Sequence, residues 1–245
     1  MSIGIIGGTG LTQINSLNIT GEKVLDTPFG KPSASYVMGK LEGKEVVFLA
    51  RHGNPHVLPP HKVNYRANIW GFKQLGIKQI ISVAAVGGIT ENMAPAHIAI
   101  PDQVIDYSYG REHTFFADDL EEVTHIDFTY PYTPSLRAKL INLAAKKNIA
   151  ISPIATYGCT QGPRLETAAE IARMERDGCD IVGMTGMPEA ALAREAELDY
   201  AAIAVVANWG AGKIEGEISM DEIHQHIEKG MGNTLELLTA LIREL

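Results

Sequence analysis

Cysteine is scarce: Cys159 and Cys179 are the only two in 245 residues. They give neither a disulfide framework nor a metal-ligand spacing, and read as reduced, buried thiols. Cations are outnumbered too, with 21 Lys and Arg against 29 Asp and Glu, a formal charge of −8. The acidic excess is spread along the chain, so nucleic acid, which needs a dense cationic face, is not an expected partner. Long apolar runs are missing: the longest, residues 200–207, falls far short of the roughly 18 needed to span a bilayer. The first ten residues hold no Lys or Arg ahead of an apolar core, so no secretory signal is expected. A cytoplasmic protein without a membrane partner is the expectation. Repeats, low-complexity tracts and Pro/Ser-rich linkers are also absent, which leaves a single domain over residues 1–245. A chain of this length buries roughly 70 to 75% of its unfolded surface, enough for one substantial core.

What is present is alternation. Short β-branched runs are followed by longer segments of helical period, the pattern of an α/β fold with a mixed central β-sheet flanked by helices. Strands are expected at 3–6, 34–38, 45–50, 79–85, 151–157, 180–184 and 200–207, with the second and third forming a hairpin around Leu41-Glu42-Gly43-Lys44. Helices are expected at 64–75, stopped by Gly76, at 135–147 after Pro134, and at 167–177, 188–196 and 220–243. The last opens with Ser219-Met220-Asp221-Glu222, a capping-box pattern. Residues 106–134 are aromatic, acidic and aperiodic, and read as a long excursion over the surface or toward another subunit.

The unusual polar and glycine-rich segments nearly all follow expected strand ends, where ligands bind in open α/β sheets. Gly7-Gly8-Thr9-Gly10 is either a tight turn or an anion site. It lacks the Lys-Ser/Thr of a P-loop, and Gln13 stands where a dinucleotide fingerprint needs its last glycine. Arg51-His52 favours the anion, since a guanidinium can grip two phosphate oxygens and an imidazole can add a third donor. Glu166, in Gly162-Pro163-Arg164-Leu165-Glu166-Thr167, either complements a helix dipole or faces a ligand. Asn208 either closes a turn before Gly210 or reads a purine edge with its amide.

In this order, the segments resemble the trimeric purine nucleoside phosphorylases, especially their 5'-methylthioadenosine phosphorylase branch. The resemblance rests on Ile3-Gly4-Ile5-Ile6-Gly7-Gly8-Thr9-Gly10-Leu11, Asp26-Thr27-Pro28-Phe29-Gly30-Lys31-Pro32-Ser33, Ala50-Arg51-His52-Gly53 and Lys62-Val63-Asn64-Tyr65-Arg66-Ala67-Asn68-Ile69-Trp70. Gly162-Pro163-Arg164-Leu165-Glu166-Thr167 and Gly183-Met184-Thr185 continue it. It implies a nucleoside phosphorylase-like fold and phosphorolysis: phosphate attacks C1' of a nucleoside, giving a free purine and a sugar 1-phosphate, with no metal or organic cofactor. By position, Thr9, Arg51, His52, Thr185 and the backbone at Ala84-Ala85 would hold phosphate. The family commonly has Thr where Ala84 stands, so one hydroxyl contact is missing. Met184 would lie near the ribose, and Asn208, Trp209 and Gly210 would line the purine. The family is trimeric and often lends a residue across the interface; His125, in the excursion, is the candidate.

Within that resemblance, the adenine-cleaving branch carries Asp at the position of Asn208, Asp at Gly210 and Ser at Glu166. All three differ here. Glu166 can accept from N1-H of a 6-oxopurine but would face the bare N1 lone pair of adenine, and sites built on such a contact discriminate by roughly 10⁴ to 10⁵. At the 5' end, nucleoside-preferring members hold the hydroxyl with a His where Met220 stands, with Ile223 on the same face. Met220 is either core or the wall of an apolar pocket for a methylthio group. Together these imply 5'-methylthioinosine as substrate, with 5'-methylthioadenosine or general 6-oxopurine phosphorolysis as alternatives. From other classes, a nicotinamide-binding oxidoreductase using Asp26 would leave Arg51-His52 and Asn208 unexplained, and a non-catalytic purine-binding protein stands as a further alternative.

Overall fold

The computed structural model describes residues 2–11, 14–118, 120–216 and 219–244. The first strand, β1 (Ile3–Gly7), is buried throughout, as a parallel strand covered on both faces should be. β2 (Asn18–Lys23), β3 (Tyr36–Leu41) and β4 (Lys44–Ala50) form an antiparallel meander, and β4 then pairs parallel with β1. The hairpin turn has φ of 52° at Glu42 and 75° at Gly43, the left-handed pair that matches the twist of two strands joined by a two-residue loop. β2 had no signature in the sequence, because an exposed edge strand needs no apolar alternation.

α1 (Tyr65–Gln74) is capped by Asn64, whose side chain accepts from the Ala67 N-H at 3.1 Å. β5 (Gln79–Gly88) runs three residues past its expected end. Two short strands follow, β6 (Ile98–Ala99) and β7 (Gln103–Asp106), and then the excursion, without helix or strand among the described residues of 107–133. α2 (Pro134–Lys146) starts on its proline. The strand expected over 151–157 is two, β8 (Ile151–Ser152) and β9 (Thr156–Cys159), because Pro153 has no N-H for the ladder. α3 (Ala168–Arg176), β10 (Ile181–Gly183), α4 (Gly186–Glu195), β11 (Asp199–Trp209) and α5 (Met220–Arg243) complete the chain.

The strands join in one mixed sheet, in the order β2-β3-β4-β1-β5-β10-β9-β7, with β11 on the other edge of β5 and β6 and β8 beyond it. Side-chain alternation sends Val83 and Val205 to the face covered by α2 and α5, and Ala84 and Val206 to the face covered by α1 and α4. Each fully buried Leu or Ile on these faces contributes about 1.5 to 3 kcal/mol. Among the described residues, no helix is long and apolar enough to cross a membrane.

The capping box expected at α5 is half made: Ser219 accepts from the Glu222 N-H at 3.4 Å. The reciprocal pair is found instead at α3, between Thr167 and Glu170.

One feature of the sheet positions the site. β11 occupies one edge of β5 along its whole length. On the opposite edge β1 pairs only as far as Ser82, and β10 pairs only at Gly87 and Gly88. Among the described residues no strand covers that edge from Val83 to Val86, so backbone groups there can meet other partners. β10 and β9 run antiparallel to β5, so β1, β4, β5 and β11 bring their carboxyl ends to this place from one direction and β10 brings its own from the other, leading into Met184 and Thr185.

Candidate active site

The gap in the sheet opens into a cavity of about 450 Å³, within the range of small-molecule sites. Its walls include Thr9, Arg51, His52, Ala84, Ala85, Glu166, Met184, Thr185, Asn208, Gly210, Met220 and Ile223. Segments from one end of the chain to the other thus converge on one space.

Arg51 fills the gap itself. Its Nη1 donates to the Val83 carbonyl at 3.0 Å, on the uncovered edge of β5. By strand alternation the N-H of Ala85, two residues on, points to the same edge. The guanidinium is wholly buried and gripped by Glu189: Nε donates to Oε2 at 2.7 Å and Nη2 to Oε1 at 2.9 Å. Ser82 and Tyr200 hydroxyls donate to the same Glu189 oxygen, each at 2.8 Å. The expectation that Arg51 offers a two-pronged fork to phosphate is therefore corrected. The fork is used on Glu189, which leaves Nη1, on the Val83 carbonyl, as the nitrogen not bound to it. Gly8 is what lets it fit, since a Cβ there would stand 2.6 Å from Nη1 and 2.7 Å from the Val83 oxygen.

His52 is corrected in a similar way. Its Nδ1 lies 2.7 Å from the Leu58 carbonyl, so Nδ1 carries the hydrogen. Burial, then the Arg51 charge, hold the imidazole down at about 4, so it is neutral near pH 7 and its Nε2 is an acceptor, not a donor. His56 stacks on it with ring centroids 4.5 Å apart. Thr9 sits in a turn closed by Leu11 N-H to Gly8 O at 3.0 Å, with φ of 87° at Gly10, so the turn and the cavity wall are the same residues. Thr185 is the buried residue that precedes α4.

Glu166 lies outside α3. The carboxylate at that helix mouth is Glu170, which completes the capping box and binds Arg164, so the dipole reading belongs to Glu170. Glu166 Oε1 accepts from Thr160 Oγ1 at 2.6 Å, and Oε2 takes no hydrogen bond from the described residues. Asn208 stands inside β11, just after a register shift between Val206 and Asn208. One N-H of its amide donates to the Trp209 carbonyl at 2.7 Å, which leaves the other.

Trp209 does not line this cavity. It lines a neighbouring one of about 400 Å³ with Pro95, Ile214 and His226, and Asn208 and Gly210 border both. His125 is exposed and does not line the cavity of its own chain. Met220 is not core: it is 58% exposed at the start of α5, where it, Ile223 and Ile227 present one helical face to the cavity. Sequence reasoning missed Glu189, whose signal was an acid inside the apolar run Met187-Pro188-Glu189-Ala190-Ala191-Leu192, and His56. Among the described residues no three His, Cys, Asp or Glu side chains gather as a metal site.

A mixed sheet interrupted at β5, with an arginine in the break and polar groups from four connections and from β11 around it, defines a small-molecule enzyme cavity of the phosphorylase kind. The chain belongs to the Phosphorylase superfamily, whose family profile matches residues 2–243. It is 58% identical over 238 residues, 97% of each chain, to a probable S-methyl-5'-thioinosine phosphorylase of Pseudomonas syringae pv. tomato. It is 42% identical to the 6-oxopurine nucleoside phosphorylase of Pyrococcus furiosus, over 98% of this chain and 91% of that one. Methylthioadenosine phosphorylase from Schistosoma mansoni, solved in complex with adenine, superposes with a TM-score of 0.95 at 33% identity, covering 99% of this chain and 91% of that chain.

Proposed function

We propose that the chain, acting as one domain, catalyses phosphorolysis of 5'-methylthioinosine to hypoxanthine and 5-methylthioribose 1-phosphate. The observation that carries this reading is that Glu166 and Met220 line one cavity with Arg51, His52 and Thr185. A hydrogen-bond acceptor for a keto purine and an apolar wall for a thioether thus flank one anion site. Phosphate is held by the Ala85 N-H, the Thr9 and Thr185 hydroxyls and Arg51 Nη1, while neutral His52 accepts the O-H of monohydrogen phosphate at Nε2.

As the C1'-N9 bond breaks, its electron pair leaves with the purine and the sugar becomes oxocarbenium-like. Phosphate beside C1' stabilises that cation and then forms the new C-O bond, and the proton given up as the ester dianion forms is taken up by the purine anion, which leaves as hypoxanthine. Negative charge moves toward N7 and O6 of the base, where the remaining Asn208 N-H donates; this lowers the barrier only as far as the transition state is bound better than the ground state. Glu166 Oε2 accepts from N1-H. Phosphate is the co-substrate, and no metal or organic cofactor takes part; dialysis against a chelator should leave the rate unchanged.

The proposal extends to a cytoplasmic homotrimer in which His125, exposed in the excursion, reaches a neighbour's sugar site. Sedimentation gives the oligomer directly. Phosphorolysis assays with 5'-methylthioinosine, 5'-methylthioadenosine and inosine test the substrate. The first should have the highest kcat/KM; preference for the adenine compound overturns the base assignment, and preference for inosine overturns the sugar assignment.

A further inference from the structure

Arg111 comes from the excursion and does not itself line the cavity, yet every N-H of its guanidinium is engaged. Nε donates to Gln161 Oε1 at 3.0 Å. Nη1 donates to the Met184 and Met187 carbonyls at 2.9 and 2.6 Å, and Nη2 to the Thr160 and Gln161 carbonyls at 3.0 and 2.8 Å. The guanidinium also lies over the Tyr65 ring, 5.5 Å from its centroid. Its four backbone acceptors belong to two different connections. Thr160 and Gln161 lead from β9 to Glu166, whereas Met184 and Met187 bracket Thr185 where β10 passes into α4. The last backbone hydrogen bond joining these connections is Thr160 N-H to Gly183 O at 2.8 Å. Beyond it the two chains separate, and Arg111 spans the interval.

We infer that Arg111 is a positioning residue that sets the distance between the base-reading wall, through Thr160 and Glu166, and the sugar and phosphate wall, through Met184 and Thr185. The inference rests on the phosphorolytic reading of the cavity. A fork of five donors in one plane can hold four carbonyls at fixed separation, and an ammonium cannot. Loss of the fork leaves the carbonyls to water at little cost in folding but lets the walls drift, and a misplacement of about 1 Å can cost about 10²-fold in rate.

The test compares wild type, Arg111→Ala and Arg111→Lys for kcat and KM with 5'-methylthioinosine and phosphate, for thermal midpoint, and for rescue by millimolar guanidinium. Expected for Arg111→Ala is a near-native midpoint, a fall in kcat/KM of about 10²-fold and recovery of about tenfold of it with guanidinium, which leaves wild type unaffected. Arg111→Lys should stay as impaired as Ala. Rates near wild type in both variants, or a loss that follows the unfolded fraction and is not rescued, overturn the inference. If wild type itself cleaves none of the nucleosides, the functional reading fails. The inference is then judged on phosphate alone: the phosphate-induced rise in thermal midpoint should be lost in Arg111→Ala and return with guanidinium, and an unchanged rise overturns it.

Discussion

Arg51 and Glu189 form a two-bond ion pair on the cavity floor, with Nε to Oε2 at 2.7 Å and Nη2 to Oε1 at 2.9 Å and neither side chain reaching solvent. Glu189 cancels most of the charge that Arg51 would offer to phosphate. Glu189→Gln keeps the shape but leaves the buried guanidinium under-compensated, which should destabilise the free protein by on the order of 3 to 5 kcal/mol. Phosphate then becomes the missing counter-charge. Thermal melts should show a lower midpoint without phosphate and a larger phosphate-induced rise than in wild type. An equal rise in both would show that Arg51 and phosphate do not interact.

His52 makes stability depend on pH in a direction fixed by its environment. In the unfolded chain an imidazole titrates near 6.5, whereas in the folded protein burial and then Arg51 hold it at about 4. Between those values the unfolded chain binds the additional proton, so stability is full above about pH 6.5 and falls as pH drops toward 4. The His52 contribution lost by pH 4 is on the order of 3 kcal/mol. Urea titrations across this range should therefore give a flatter profile for His52→Gln than for wild type. Parallel profiles would show that His52 is not held neutral.

Much of this is legible in the amino-acid sequence itself. Gly76 and Asn64 mark the ends of α1, Glu42-Gly43 marks the hairpin turn, and α5 runs over the expected residues, because caps and turns are local chemistry written in adjacent residues. The cavity walls at Thr9, Arg51, Glu166 and Asn208 were legible for a different reason: polar residues follow apolar strands where packing alone would not place them, whereas Ala84, inside a strand, was marked only by the family resemblance. What stayed hidden depends on partners far away in sequence. The use of Arg51's fork is decided by Glu189, 138 residues later. The tautomer of His52 is decided by a carbonyl. The register shift between Val206 and Asn208, just before Trp209, is one that no spacing rule predicts. Arg111 was hidden most deeply, since four of its partners are backbone carbonyls, which carry no sequence signal.

Gly210 limits how easily the base preference can be changed. A Cβ at this position would stand 3.1 Å from Ile171 Cδ1 and 3.2 Å from the Gly88 oxygen. Asn208→Asp alone should raise the kcat/KM ratio of 5'-methylthioadenosine to 5'-methylthioinosine by about tenfold, because an acceptor replaces a donor beside the base. Adding Gly210→Asp should overpack the site and cost about 1 to 3 kcal/mol. Ile171→Val in the same background should recover part of that loss by opening space. Equal loss on both substrates from Asn208→Asp would detach Asn208 from base selection, and a Gly210→Asp variant as stable as wild type would refute the packing limit.

Met220 tests the sugar end without disturbing the core. It is the first residue of α5 and 58% exposed, so its replacement should change stability by no more than about 0.5 kcal/mol. Ile223 and Ile227, three and seven residues on, continue the same face into the cavity and are buried at 8% and 4%. Met220→His keeps that buried pair and changes only the rim, from a thioether to a group that can hydrogen-bond a 5'-hydroxyl. A methylthio group gains nothing from the imidazole, whereas a hydroxyl left unpaired against methionine gains a partner. The kcat/KM ratio of inosine to 5'-methylthioinosine should therefore rise by about tenfold, with the change carried mainly by inosine. Steady-state assays on the two nucleosides at saturating phosphate measure it, and an unchanged ratio would place the 5' substituent away from α5.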